Sequence, residues 1–459
     1  LLPNQWEAVN DPYSAYIIGA TSAIGVYYAD QLLELNADLQ NVKIGIIQMT
    51  YGGTSIEMFM PNCVNDKNGF VQKDDEFIQS GFWNGYMEGI TPYCASVLLY
   101  YQGENSTQLQ YMYEPLLRDY IWGVRQSFCD EALPVLLVQI SGYGDNYGQD
   151  NDSWPYIREV QMRVANTMEN VGIVTTVDLA DSDPQEIHPT EKQPIGKRLA
   201  YLAMDLVYGQ DLGMQSSVMT SYERNKSIYT IRFSATSLTL DETVDGTRDF
   251  EVMKADGTWV DADARVEDDV LLVWNDEVIV PHGVRYAWSN YPKADLFDQN
   301  GLPVMPFNTT KDLNAPFSED MYTTTSHILK KAYHLLDTGD VVVNLTRDNA
   351  IRHVRQVNAY IIEYTDGDIP GQSPGDEVAL LKKQQDSLLA EDGTNGTVVK
   401  VTAHGLKAGD WLYNTKYDAM TPVLEVIDAD TVRVERVDGQ SSGNLFEVYR
   451  CIANVTAQK

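Results

Sequence analysis

The chain has 459 residues, 44% of them hydrophobic and 22% charged, a make-up that excludes a mostly disordered protein and suggests roughly three domains of about 150 residues each. Thirty-three Lys and Arg against sixty-six Asp and Glu leave a formal charge of −33, so the surface repels phosphate backbones and nucleic acid is excluded as a partner. No window approaches the roughly 18 consecutive apolar residues of a membrane-spanning helix. Cys63, Cys94, Cys129 and Cys451 are widely spaced with no C-x-x-C pair. That argues against zinc, leaves one or two disulfides open, and implies no metal and no cofactor. Twenty-eight tyrosines and eight tryptophans suit a sugar-facing surface, although most aromatics pack in cores.

In chain order, Ser22 is placed to cap a helix carrying Ile24, Tyr27, Tyr28, Leu32 and Leu35 on one face. Val42–Met49, Ser96–Tyr101, Pro134–Ile140 and Ile173–Leu179 read as buried strands, and Tyr156–Met168 and Gly196–Tyr208 as helices. Continuous apolar strands alternating with helices predict a parallel α/β sheet covered on both faces, ending near residue 212. From 213 to 310 the texture becomes short alternating runs: Ile228–Phe233, Phe250–Met253, Val270–Trp274 and Val284–Trp288 predict an antiparallel β domain. Residues 311–365 are mixed, with a helix expected over Ile328–Leu336 and strands over Val341–Leu345 and Ala359–Tyr364. Over 366–395, a Gly/Pro linker at Asp366–Asp376 precedes a short helix at Glu377–Leu389. Residues 396–459 read as a β module: Thr397–Thr402, Trp411–Asn414, Val423–Ile427 and Thr431–Val437.

Three polar motifs follow strands of the first domain. They are Thr50-Tyr51-Gly52-Gly53-Thr54-Ser55, Gln102-Gly103-Glu104-Asn105, and the acidic loop ending Glu186-Ile187-His188-Pro189. Ligands of open α/β sheets bind at the carboxyl ends of strands. Bare glycine N–H groups and a side-chain amide there are the parts of an oxyanion hole, and a His beside an acid supplies a general base. Each motif alone reads more simply as a turn, a solvated loop or a structural histidine. Their order and placement together point to a site.

These residues resemble the sialate O-acetylesterase family of SGNH-type hydrolases. The resemblance runs through Ser22-Ala23-Ile24-Gly25-Val26-Tyr27-Tyr28-Ala29, Ile44–Ile47, Gly52-Gly53-Thr54-Ser55-Ile56-Glu57-Met58-Phe59, Tyr100–Ser106, Ile157-Arg158-Glu159-Val160-Gln161 and Glu186–Pro189 with Lys192, Gly196 and Arg198. It continues in the β domain at Pro281–Trp288 and Gly301–Phe307. It implies an SGNH/flavodoxin-like parallel sheet followed by small β domains, and a serine esterase that removes O-acetyl groups from carbohydrate. His188 is then the general base and Glu186 its orienting acid, standing where the family usually has Asp, with Asp181 and Asp183 as rivals. Gly53, Gln102 and Asn105 form the oxyanion hole, and Glu104 and Arg158 bind substrate. The order Asn105-Ser106 inverts the family's Ser-Asn, and Gly103-Glu104-Asn105 also fits the Gly-x-Asn form of the wider superfamily.

The family's nucleophile, the Ser of Gly-Gln-Ser-Asn-Met on the first strand, has no counterpart upstream of Ser22. The chain opens Leu1-Leu2-Pro3-Asn4, and the expectation is that the first strand and its serine precede Leu1. Ser22 is the rival, better matched to a helix cap. Val401–Trp411 resembles a small β module of bacteriophage tail proteins. That implies a virion appendage or other extracellular location, tail-protein partners, a homo-oligomer such as a trimer, and host surface glycan as substrate. The alternative is a catalytically inactive, receptor-binding tail protein.

Overall fold

The computed structural model describes residues 22–458 apart from 65–79, 92, 145–152, 242–248, 312, 315–320, 365–376 and shorter stretches between 326 and 443. The chain divides into two compact units, residues 1–64 with 78–316, and residues 65–77 with 317–459.

In the first unit, three parallel strands lie side by side: β1 (Leu98–Tyr100), β2 (Val135–Val138) and β3 (Val171–Val174). Helix α1 (Ala23–Leu35) is capped by Ser22, whose Oγ accepts from the Gly25 N–H at 3.3 Å. Helices α2 (Gln110–Ser127), α3 (Ser153–Thr167) and α4 (Gln193–Leu206) follow the strands. Tyr28 and Leu32 of α1 and Ile195, Leu199, Leu202 and Ala203 of α4 form one core with Leu136, Val138 and Val174. Alternation along β2 sends Val135 and Leu137, both fully buried, to the opposite face. Gly196 lets α1 and α4 touch: a Cβ there would lie 2.6 Å from Tyr27 Cβ and 2.7 Å from Tyr28 N. Two residues on, Arg198 grips both carboxylate oxygens of Asp178 at 2.7 and 2.6 Å and the Thr175 carbonyl at 2.8 Å. It thereby fixes α4 to the end of β3.

Two expectations are corrected here. Val42–Met49 is not a strand: residues 42–50 have no ladder partner among the described residues. Ile44 still joins the core and Ile46 touches Gly25, but Val42 and Ile47 are 51% and 45% exposed. Apolar content buries side chains, whereas a strand also needs a neighbour for its backbone groups. The third strand begins and ends earlier than its expected range, and Val177–Leu179 is a 3-10 turn. The turn delivers Val177 into the core of the following β layer.

Residues 219–308 are built from short antiparallel strands, among them Ile228–Phe233, Phe250–Met253, Val270–Trp274 and Gly283–Tyr286. Their alternation buries Ile231, Phe250, Val252, Leu271, Val273, Val284 and Tyr286 in one core.

The second unit is one eleven-stranded sheet running from Met321 to Gln458. Ile328–Lys330 is a strand within it, where a helix was expected; residues 331–335 lie outside the described residues. Glu377–Leu389, also expected as a helix, is a thirteen-residue strand. It pairs with Leu445–Gln458 from Glu377↔Thr456 to Leu389↔Leu445, and with Val341–Asn344 on its other side. Val378 to Leu381 are buried in succession, so both strand faces are covered and pairing overrides the helical spacing. The expected linker at 366–376 lies outside the described residues. Cys63, Cys94 and Cys129 are free thiols.

Candidate active site

The loop after β1 and the Gly52-Gly53 turn meet directly. Gly53 has φ +70°, a left-handed conformation that suits glycine, and nothing lies within 4 Å of where its Cβ would be. Thr54 Oγ1 closes this turn by donating to the Tyr51 carbonyl at 2.7 Å. From the other side, Asn105 Nδ2 donates to the Gly53 carbonyl at 3.2 Å, and Gln102 Nε2 donates to the Thr54 carbonyl at 3.4 Å and to Ser106 Oγ at 2.9 Å.

These bonds separate the two amides. Gln102 was expected as an oxyanion donor, yet its amide hydrogens point at Thr54 and Ser106, and its Oε1 accepts from Tyr100 at 2.9 Å. It braces the site. Asn105 is exposed and uses one N–H on Gly53, leaving its second N–H without a partner among the described residues.

The backbone between them is held from below. The Gln102 carbonyl accepts from Tyr113 Oη at 2.8 Å and from Gln161 Nε2 at 2.9 Å, while Gln161 Oε1 accepts from the Ile140 N–H at 3.1 Å. Gly103 fits between them: a Cβ would lie 2.9 Å from both Ile140 Cγ2 and Ile157 Cγ2. Gln161 and Tyr113 were not singled out as functional from the sequence. Gln161 ends the Ile157–Gln161 motif, where spacing alone shows no partner.

On the third loop, Asp183 N–H donates to Asp181 Oδ1 at 3.0 Å and Gln185 N–H to Asp183 Oδ1 at 2.9 Å. Both aspartates serve turns. Glu186 is the acid that meets His188: its Oε1 lies 2.9 Å from Nδ1 and accepts the His188 backbone N–H at 2.8 Å. Those two bonds hold the Glu186 carboxyl below its ordinary pKa. A carboxylate on Nδ1 places the ring proton there and leaves Nε2 as the basic nitrogen. His188 is 82% exposed on its side chain, so that nitrogen is accessible.

Glu104 connects the loops. Burial raises its carboxyl pKa; hydrogen bonds from its own and Gly103's backbone amides oppose this, as do the nearby charges of His188 and Lys192. Lys192 in turn is pushed down by burial and drawn back up by Glu104 and Glu186.

Arg158 does not reach the site, which corrects its expected role in binding substrate. It is 1% exposed, and its Nη2 donates to the carbonyls of Ala287, at 3.1 Å, and Ser289. Burial pulls its pKa to about 9. It fastens α3 to the β layer.

Among the described residues, no group of three His, Cys, Asp or Glu is arranged to hold a metal ion, and no helix is long and apolar enough to cross a membrane. The geometry offers a backbone N–H, a side-chain amide and a His–Glu pair, a set suited to acyl transfer.

Residues 2–205 match the family model described as carbohydrate esterase, sialic acid-specific acetylesterase. The chain is similar to the sialate O-acetylesterase of Homo sapiens, 29% identical over 196 residues, which are 38% of this chain and 37% of that protein. The enzyme of Rattus norvegicus is 23% identical over 222 residues, 38% of this chain and 41% of that protein. The chain thus spans about two-fifths of the length of the relatives it matches. A crystal structure of a carbohydrate acetylesterase from Xanthomonas citri is similar with a TM-score of 0.57 and 27% identity, over 66% of this chain and 68% of that one. That share is larger than residues 2–205 alone, so the structural likeness extends beyond the stretch that matches the family model.

Proposed function

We propose that the protein is a serine-type carbohydrate O-acetylesterase. The observation that carries the reading is the junction of the Gly53 turn with the Gln102–Asn105 loop, together with the hydrogen-bonded Glu186–His188 pair on the third loop. In the reaction, a serine Oγ attacks the acetyl carbonyl as His188 Nε2 takes its proton. The Gly53 N–H and the free N–H of Asn105 hold the oxyanion. The sugar oxygen leaves with the proton from His188, and water then cleaves the acyl-serine to acetate under the same base. The serine belongs, in this proposal, to a strand outside the described residues. Ser22 is spoken for, since its Oγ caps α1.

The reading extends to the setting. The likeness of Val401–Trp411 to phage-tail modules supports an appendage that deacetylates host surface glycan, with an assembled homo-oligomer as its form.

Acetate release from an O-acetylated sugar tests the chemistry, using a form of the protein that contains the attacking serine. His188→Ala is expected to lower turnover by several orders of magnitude, and Asn105→Ala by about 10²–10³, the usual loss for one oxyanion donor. Glu186→Gln should cost less than His188→Ala, because it orients the base without taking the proton. A form that contains the serine yet releases no acetate supports the alternative, a receptor-binding protein on an esterase fold.

A further inference from the structure

Beside the Gly53 turn lies a cluster of aromatic rings that the chemistry above does not use. Phe82 is its centre. Tyr51 sits 4.6 Å from it between ring centroids, Phe59 5.3 Å and Tyr86 6.0 Å, with interplanar angles of 32°, 22° and 24°. Phe59 and Tyr86 are thus stacked with Phe82, and Tyr51 is tilted against it. Tyr51 and Tyr86, at the outside, are 61% and 62% exposed. Isolated exposed aromatics need no explanation, but a contiguous exposed group marks a binding surface. Tyr51 belongs to the same turn as Gly53, since Thr54 Oγ1 binds the Tyr51 carbonyl while Asn105 binds that of Gly53. A molecule lying on Tyr51 therefore lies next to the acyl-transfer groups.

We propose that Tyr51 and Tyr86, backed by Phe82 and Phe59, form a stacking platform for the pyranose ring of a neutral, uncharged glycan whose acetyl group reaches Gly53 and His188. The proposal rests on the esterase reading for its acetylated substrate. The chemistry of the platform is its own argument. A pyranose presents a face of axial C–H groups, which a flat, electron-rich ring covers with little loss of side-chain entropy, and tyrosine hydroxyls serve the sugar's edge. Charge selects against an acidic sugar. Asp181, Asp183, Glu186 and Glu104 occupy the loops around the site, and the field of Lys192 is directed at Glu104 and Glu186. A sugar carboxylate would enter a negative region of a chain whose net charge is −33.

Titration calorimetry on the 459-residue protein tests this, with an O-acetylated neutral cello-oligosaccharide and an O-acetylated sialyl-oligosaccharide as probes. Binding needs no nucleophile, so it is read independently of acetate release. The neutral probe should bind more tightly than the sialyl probe. Tyr51→Ala and Tyr86→Ala should each weaken the neutral probe by roughly tenfold, and Tyr51→Phe should restore binding to within about twofold, because the ring face is kept. Unchanged affinity in both alanine variants, or tighter binding of the sialyl probe, overturns the proposal. Tyr51-dependent binding, with no acetate release from a form that contains the attacking serine, upholds the platform and removes the esterase reading.

Discussion

Glu57 is 1% exposed, and neither of its carboxylate oxygens has a hydrogen-bond partner of normal geometry among the described residues. Burial lifts its carboxyl above the usual range; its own backbone amide and Ser55 oppose this without reversing it. The folded state therefore holds the Glu57 proton more tightly than the unfolded chain does. Stability linked to this group is fully present below the ordinary carboxylate pKa and is lost as pH rises through the raised folded value. Glu57→Gln removes the charge that burial penalises. Urea denaturation should show it more stable by about 1–2 kcal/mol near neutral pH and indistinguishable from the parent in mild acid. At the same scale, the choice of Glu186 over Asp181 and Asp183 was not legible from the sequence. All three acids lie within one loop, and only the bonds of the two aspartates to backbone N–H groups two residues on show that they serve turns.

The contact of α1 with α4 depends on Gly196. A methyl group there would meet Tyr28 N at 2.7 Å and the Ile24 carbonyl at 2.9 Å, both backbone atoms that cannot swing away. Gly196→Ala should gain a little intrinsic helix propensity yet lose about 1–3 kcal/mol overall, as a lowered urea midpoint, because the helices must separate. Element type was readable where periodicity and burial agreed. Ile228–Phe233 and Val270–Trp274 alternate and are strands; Gly196 to Leu206 repeats at helical spacing and is helical. It was not readable where a neighbour distant in sequence decides. Glu377–Leu389 carries Lys, Gln and Leu at helical spacing, and only the strands Leu445–Gln458 and Val341–Asn344 on its two sides make it extended. Val42–Met49 shows the converse, a strand-like run without a ladder among the described residues. The site loops were legible because glycine, amide and histidine stand at fixed places after apolar runs. The aromatic platform was not, since Tyr51 and Phe82 are far apart in the chain.

Over the whole molecule, −33 net charge means that folding gathers like charges. Added sodium chloride should raise the melting temperature near neutral pH by screening that repulsion, and the gain should fade as pH approaches the sequence pI of about 4.4. The same surface makes a neutral glycan a better partner than a polyanion. The candidate site residues and the β layer lie in one unit and the eleven-stranded sheet in another. The central claim is that a serine outside the described residues works with His188. Labelling the full-length protein with a fluorophosphonate, followed by peptide mass spectrometry, tests it directly. The account predicts one adduct, on a serine outside the described residues, abolished by His188→Ala. An adduct on Ser22, or labelling that survives His188→Ala, would contradict it.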